Sequence, residues 1–170
     1  MKRKEVRIMT KVYFTSLSRT LTAAILGFLT VTFLLNWTAT GNAFEKINQT
    51  FWGVAINGYD TVAYHTEGRA IKGQRKYSHE WNDAKWYFAS AENRDLFAAD
   101  PERYAPQYGG YWAGSMAATG KAAGVNPEAW KIIDGELFLH WDQKGGENFV
   151  VKAESEVKKA DQNWGKLIKE

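Results

Sequence analysis

The chain has 170 residues, of which 45% are apolar and eight are tryptophan, enough for one packed domain and against disorder over most of its length. The formal charge of +3 is unevenly distributed, because residues 44–170 carry 16 basic and 18 acidic residues and a net charge of −2. A basic nucleic-acid-binding face is therefore not expected, and no nucleic-acid partner is predicted. The absence of cysteine excludes disulfides, thiolate metal sites and thiol catalysis.

Residues 1–43 have the pattern of a signal peptide or an N-terminal membrane anchor. Six basic residues in the first 19 positions precede an apolar run at residues 21–35, and small residues lead up to a cleavage position after Ala43. The stretch 20–37 is also close to the shortest membrane span, which needs roughly 17 to 25 residues. Both alternatives predict an exported protein, either periplasmic or anchored to the membrane and facing the periplasm.

Residues 44–52 are predicted to form a tether, and residues 53–170 a single domain. Short strands are expected at residues 54–56 and 61–64, on either side of an Asn-Gly turn. A Gly-rich loop then leads into the main part of the domain.

A β-hairpin and a helix are expected next. Residues 76–81 and 85–89 have strand patterns and are close enough to pair as a hairpin. Ser90 is a good N-cap for a helix that Pro101 ends, with a short helical turn after it. One side of the helix is expected to be buried, through Ala91, Leu96, Phe97 and Ala98.

The remaining elements complete an α+β domain. Residues 107–124 are predicted as loop and short helix. Residues 130–133 and 136–141 flank an Asp-Gly dipeptide that suits a type I′ turn, which predicts a second hairpin. The tail from residue 151 to 168 has apolar spacings of three and four, which predict a C-terminal amphipathic helix packed on the sheet.

Three motifs follow one another along the chain: Gly58 to Tyr64, Trp86 to Phe97, and Pro101 to Tyr111. In this order they resemble the YHS domain family. The chain is especially similar to exported bacterial YHS-domain proteins, which often continue into a segment like residues 127–137. The resemblance covers roughly residues 53–164, and it implies an accessory protein of the cell envelope that binds metal, copper in particular.

Trp112 departs from the family's pattern. Exported members usually have Gly-Gly-Tyr-Cys where this chain has Gly-Gly-Tyr-Trp. A thiolate suits Cu(I) or zinc, so the ligand that the resemblance would imply is missing. The surrounding segment is expected either to line a pocket for a small organic ligand or a partner chain, or to pack over the core. Its residues are Tyr104, Tyr108, Gly109, Gly110, Tyr111 and Trp112.

Histidine and methionine remain as candidate ligands for copper or zinc. Imidazole binds Cu(II) and Zn(II), and a thioether is a soft ligand. His65, His79, His140 and Met116 are the candidates, and Glu80 would complete such a site. The histidines have no paired spacing such as H-x-x-x-H, so the alternative for each is a local role in the core or at the surface.

No catalytic residues are predicted. Ser78, His79 and Glu80 are neighbours on a strand, where successive side chains point to opposite faces and cannot form a relay. Asp60 and Glu80 are a possible acid and base, although surface carboxylates are usually solvated. The expected function is therefore binding, with an unidentified partner in the cell envelope. The alternative is a structural or protein-interaction module that has lost metal binding.

Overall fold

Two antiparallel β-hairpins and six α-helices make up the part of the chain that the computed structural model describes, residues 44–169. This arrangement confirms the predicted α+β class. The predicted signal peptide or anchor at residues 1–43 lies outside the described residues. None of the described helices is long and apolar enough to cross a membrane. In chain order the elements are α1 (Thr61–Thr66), β1 (Gln74–Trp81), β2 (Ala84–Phe88), α2 (Ala91–Ala99), α3 (Pro101–Tyr104), α4 (Ala113–Thr119), β3 (Asn126–Ile133), β4 (Glu136–His140), α5 (Gln143–Val151) and α6 (Ala153–Leu167).

Strands β1 and β2 form the first predicted hairpin. Trp81 pairs with Ala84 across a two-residue turn, in which Asn82 and Asp83 have left-handed φ values of 49° and 59°. These values match the twist of the flanking strands. Every second side chain of β2 is buried, beginning with Ala84, so one face of the strand lies on the core.

Strands β3 and β4 form the second hairpin, with the Asp-Gly turn that the sequence predicts. Asp134 and Gly135 have φ values of 52° and 86°, as a type I′ turn requires. The last four residues of β4, residues 137–140, are all buried. A strand that is buried on both faces separates two layers of the core.

The two hydrophobic clusters of the domain meet at β4. Leu137 and Leu139 belong to the first cluster, which also holds the aromatic side chains of the first hairpin and of α2. Phe138 belongs to the second cluster, together with Met116 of α4 and Phe149 of α5. Each fully buried large apolar side chain contributes about 1.5–3 kcal/mol, so β4 carries much of the domain's stability.

Residues 61–64 are helical, so the predicted strand there is wrong. Asp60 precedes α1, and its Oδ1 accepts hydrogen bonds from the backbone N–H groups of Val62 at 2.9 Å and Ala63 at 3.2 Å. This N-cap outweighs the strand preference of the β-branched residues. The other short strand, at residues 54–56, is reduced to isolated bridges and a single 3₁₀ turn at Ile56–Gly58.

Residues 44–52 pack into the domain, so the predicted tether is wrong. Ile47 is 5% exposed and belongs to the first hydrophobic cluster. Asn48 donates its backbone N–H to the carbonyl of Gly109 at 2.8 Å and its side-chain amide to that of Gly110 at 2.9 Å. The segment therefore packs directly on the loop that follows α3.

The predicted helix after Ser90 is confirmed as α2, but its buried side is narrower than expected. Only Phe97 is buried, while Leu96 is 42% exposed. The Phe97 ring packs against four rings of the first hairpin, those of His79, Trp81, Trp86 and Phe88, so this one side chain anchors the helix. The predicted break at Pro101 is confirmed by the short helix α3.

The C-terminal amphipathic helix is confirmed as α6, which packs mainly on α4 and shares the second hydrophobic cluster with Phe138 of β4. Asn163 of α6 donates its side-chain amide to the carbonyl of Met116 at 2.9 Å, at the end of α4. Helix α5 was not predicted. Asp142 caps it, accepting from the N–H of Gly145 at 2.6 Å, but two glycines in the first turn hide the helical pattern.

Candidate functional site

The loop between α3 and α4 runs beside β4. Pro106 and Trp112 each form a parallel bridge with this strand, at Leu137 and Leu139 respectively. Between the two bridges the chain turns sharply, because three consecutive residues have left-handed φ values of 56°, 62° and 80°, starting at Tyr108. The loop therefore holds Trp112 at a fixed place on the edge of the second hairpin.

The tyrosines of this loop are buried in the domain or hydrogen-bonded to its other segments. Tyr104 and Tyr108 are buried. The Tyr108 hydroxyl donates a hydrogen bond to Oδ1 of Asp161 at 2.9 Å, and burial, followed by this bond, raises the pKa of Tyr108. The Tyr111 hydroxyl donates to the carbonyl of Glu45 at 2.9 Å. These contacts favour packing over a ligand pocket for the tyrosines.

Trp112 differs from them because it lines a cleft of about 380 Å³ between α4, α5 and the start of α6. Phe149 provides a second aromatic wall, and Lys152 and Glu156 contribute charged groups. The indole Nε1 of Trp112 is buried and has no hydrogen-bond partner among the described residues. We call this space the Trp112 cleft.

His140 is the last residue of β4, lies next to α5 and is fully buried. Neither of its ring nitrogens has a partner among residues 44–169. Burial, and then the charge of Lys131, lower its pKa to about 4, while Asp142 opposes this shift. The ring is therefore neutral at pH 7, and one of its nitrogens is a buried acceptor without a donor.

The first turn of α5 connects Trp112 and His140. A Cβ atom on Gly145 would lie 3.9 Å from the indole Nε1 of Trp112, and one on Gly146 would lie 3.1 Å from Cδ2 of His140. Phe149, one helical turn further on, lines the cleft and packs on the His140 ring at a centroid distance of 5.2 Å. The rings of Trp112 and His140, which hold three buried, unpartnered nitrogen atoms, thus both lie next to this glycine pair.

The structure places the candidate metal ligands beside different aromatic rings. His65 lies 5.5 Å from the ring of Tyr104, and His79 lies 6.0 Å from that of Phe97. His140 and Met116 are both associated with the second cluster, through Phe149.

The ligand set in residues 44–169 is incomplete for a metal. No group of three or more histidine, aspartate or glutamate side chains there is arranged to hold a metal ion. An imidazole and a thioether near the second cluster are fewer than the three or four protein ligands of a typical zinc site. The residues present therefore do not fit a complete copper or zinc site.

Asp60 has a structural role. It is therefore not free to act with Glu80 as an acid–base pair. It is fully buried, and its Oδ2 accepts hydrogen bonds from the N–H of Ala89 at 2.8 Å and from the side-chain amide of Asn93 at 2.7 Å. With the two bonds to α1, this carboxylate joins α1, β2 and α2. Glu80 is exposed on β1.

Sequence reasoning missed Asp161, the partner of Tyr108. A signal was present, since Asp161 lies on the same side of α6 as Val157 and Trp164, at spacings of four and three. An acidic residue beside an apolar stripe predicts a hydrogen bond to another part of the domain. Gly145 and Gly146 gave no comparable signal, because their role depends on what approaches them in space.

Comparison with known proteins identifies part of this architecture. The model of the YHS domain matches residues 62–108, from α1 to the left-handed turn at Tyr108. No curated protein and no solved structure matches the chain. Trp112 and His140 lie beyond the matched residues. Residues 62–108 are therefore similar to the YHS domain.

Proposed function

We propose that this protein is an accessory binding protein of the cell envelope and that its ligand occupies the Trp112 cleft. At the coarser level, the YHS domain supports an accessory, metal-related role. The envelope location rests on the basic and apolar pattern of residues 1–43. Binding is favoured over catalysis because the buried Asp60 is fully hydrogen-bonded and His140 has no exposed surface.

The unpartnered Nε1 of Trp112 is the observation that carries the proposal. A buried donor without an acceptor costs about 1–3 kcal/mol, so a ligand that supplies an acceptor would recover this energy. Because the indole nitrogen is buried, the ligand must displace a neighbouring segment slightly to reach it. Gly114 of α4 and Gly145 of α5 lie beside this nitrogen, and neither has a side chain to obstruct the approach.

The walls of the cleft indicate the class of ligand. Trp112 and Phe149 offer aromatic surfaces, while Lys152 and Glu156 contribute charged groups. A small organic molecule with a flat apolar body and at least one hydrogen-bond acceptor fits this combination. The volume of about 380 Å³ is near the lower end of the range for small-molecule sites.

A thermal-shift screen of small organic compounds tests this proposal. Compounds that stabilise the full chain are retested on Trp112→Phe, which keeps an aromatic ring but removes the N–H donor. Trp141→Phe is the matched control, since Trp141 is 60% exposed and does not line the cleft. We expect the shift in Tm to fall for Trp112→Phe and to be retained for Trp141→Phe. If no compound depends on Trp112, the cleft is not the binding site.

Metal binding is a second candidate function, which the state of His140 favours. A neutral, buried imidazole with a free nitrogen is the form that binds Cu(II) or Zn(II). Metal would need further ligands than the described residues bring together there. The Trp112→Cys substitution adds a thiol, a soft metal ligand, to a chain that has no cysteine.

Titration with Cu(I), Cu(II) and Zn(II) separates the two candidates. The unmodified chain, Trp112→Cys and His140→Leu are compared. Stoichiometric binding by the unmodified chain, lost in His140→Leu, supports a histidine-based metal site. Binding that requires Trp112→Cys shows that the tryptophan has replaced a metal-binding function.

A further inference from the structure

Phe51 and Trp52 form an exposed aromatic pair at the surface of the domain. Their side chains are 93% and 79% exposed, and their rings meet edge to face at a centroid distance of 5.2 Å. Single exposed apolar side chains are common, but adjacent exposed aromatic rings mark contact sites. We call this pair the aromatic tip.

The aromatic tip is held on a tight turn. The N–H of Gly53 donates to the carbonyl of Thr50 at 2.8 Å, and the N–H of Thr50 donates to the carbonyl of Val54 at 2.9 Å. The turn is fixed to β2, because the N–H of Lys85 donates to the carbonyl of Gly53 at 2.8 Å. The two rings are therefore presented by ordered backbone.

Charged groups of both signs surround Trp52. Clefts of about 530 Å³ and 590 Å³ both include this residue, together with Lys85 and Glu80, and the larger one also includes Arg75. Aromatic rings beside cationic and anionic groups match the boundary between lipid headgroups and acyl chains, which contains phosphates and amines. Tryptophan in particular is enriched at this boundary.

The sequence supplies a second, independent observation. The apolar stretch 20–37 ends 14 positions before Phe51. Even fully extended, 14 residues span only about 50 Å at 3.3–3.6 Å per residue. If the stretch remains in a membrane, the tip cannot move further than that from the bilayer surface.

We propose that the aromatic tip inserts into the interface of the membrane that holds residues 20–37 and so seats the domain on the bilayer. This inference rests on the proposed envelope location, with the N-terminal stretch retained as an anchor. It does not depend on the Trp112 cleft. Phe51 and Trp52 would enter the headgroup region to a depth of about 5–10 Å.

Site-directed spin labelling tests the contact, because the natural chain has no cysteine and one introduced cysteine is labelled uniquely. The full chain with Phe51→Cys carries a nitroxide and is reconstituted into vesicles of phosphatidylethanolamine and phosphatidylglycerol. A second chain carries the label at Lys158→Cys, an exposed position on α6. We expect the label at position 51 to collide with oxygen and to be shielded from a water-soluble nickel complex, unlike the label at position 158.

A further pair of variants shows whether the tip itself causes the shielding. In the chain labelled at position 51, Trp52→Ala should increase collisions with the nickel complex several-fold. Trp141→Ala, which removes another exposed tryptophan, should leave them unchanged.

Three results would overturn the proposal, and they are distinguishable. Equal nickel accessibility at positions 51 and 158, in a chain that floats with the vesicles, excludes membrane contact by the tip. Dipolar broadening between labels at position 51 shows that a second copy covers it. A chain that does not float with the vesicles shows that residues 20–37 do not anchor it. That result would leave the ligand proposal for the Trp112 cleft unaffected.

Discussion

The hydroxyl of Tyr108 donates a hydrogen bond to Oδ1 of Asp161 at 2.9 Å, which joins the last residue of the YHS match to the C-terminal helix α6. Tyr108 has a left-handed backbone conformation, with φ of 56°. Such a conformation costs a non-glycine residue about 1–2 kcal/mol, so the side-chain contacts must hold it. Helix α6 therefore helps to stabilise the loop between α3 and α4, where the YHS match ends.

Removal of this hydrogen bond should destabilise the domain. We expect Tyr108→Phe to lower the free energy of unfolding by about 1 kcal/mol, because the buried Tyr108 loses its hydrogen bond to the Asp161 carboxylate. Urea unfolding of Tyr108→Phe, Asp161→Asn and the double variant measures the coupling. Additive effects of the two substitutions would show that the bond contributes nothing.

Asp60 should be among the most sensitive positions in the chain. We expect Asp60→Ala to lower the free energy of unfolding by about 3–5 kcal/mol, since it leaves backbone donors at Val62 and Ala89 without their acceptor. Asp95→Ala is the control, because Asp95 is an exposed carboxylate on α2 and should change stability by less than about 0.5 kcal/mol. Chemical denaturation measures both, and a similar effect of the two would contradict the structural role of Asp60.

His140 should make the domain less stable in mild acid. Its pKa is about 4 in the folded protein and about 6.5 when unfolded, so the unfolded chain binds the proton more tightly. The stability is complete above pH 6.5 and decreases as the pH falls towards 4, by about 3 kcal/mol in total.

The variant His140→Leu isolates this contribution. The pKa of His65 is also lowered, by burial and by Arg103, so some pH dependence remains in every variant that keeps it. We expect the difference in unfolding free energy between pH 7 and pH 4.5 to be smaller in His140→Leu than in the natural chain. An unchanged difference would mean that His140 is accessible to protons in the folded state.

Gly109 should not tolerate a side chain. It has φ of 62°, and a Cβ atom would collide with the carbonyl oxygen of Lys46. Gly68 has a similar φ of 64°, but no atom lies within 4 Å of its Cβ position.

Alanine at these two positions therefore separates backbone strain from collision. We expect Gly68→Ala to cost about 1 kcal/mol, and Gly109→Ala to cost several times more, because residues 44–52 must also move. Thermal unfolding of both variants measures the difference. Equal losses would mean that the N-terminal segment packs only loosely on the loop.

Local patterns predicted the hairpins and helices whose signals lie within a few residues. The type I′ turn at Asp134 follows from a dipeptide that tolerates left-handed φ. Helix α2 follows from its N-cap at Ser90. Helix α1 was predicted as a strand because the cap at Asp60 and the β-branched residues give opposing signals, and the contacts of Asp60 with β2 and α2 decide between them.

The sequence by itself determined the fold class, the YHS resemblance and the loss of thiolate chemistry, because these depend on residue type and on spacing along the chain. Only the tertiary structure decided which candidate residues lie together. It placed His65 and His79 beside different aromatic rings, brought Trp112 and His140 next to one glycine pair, and left the aromatic tip exposed. The physical reason is that burial and close approach arise between elements distant in sequence, where no local pattern records them.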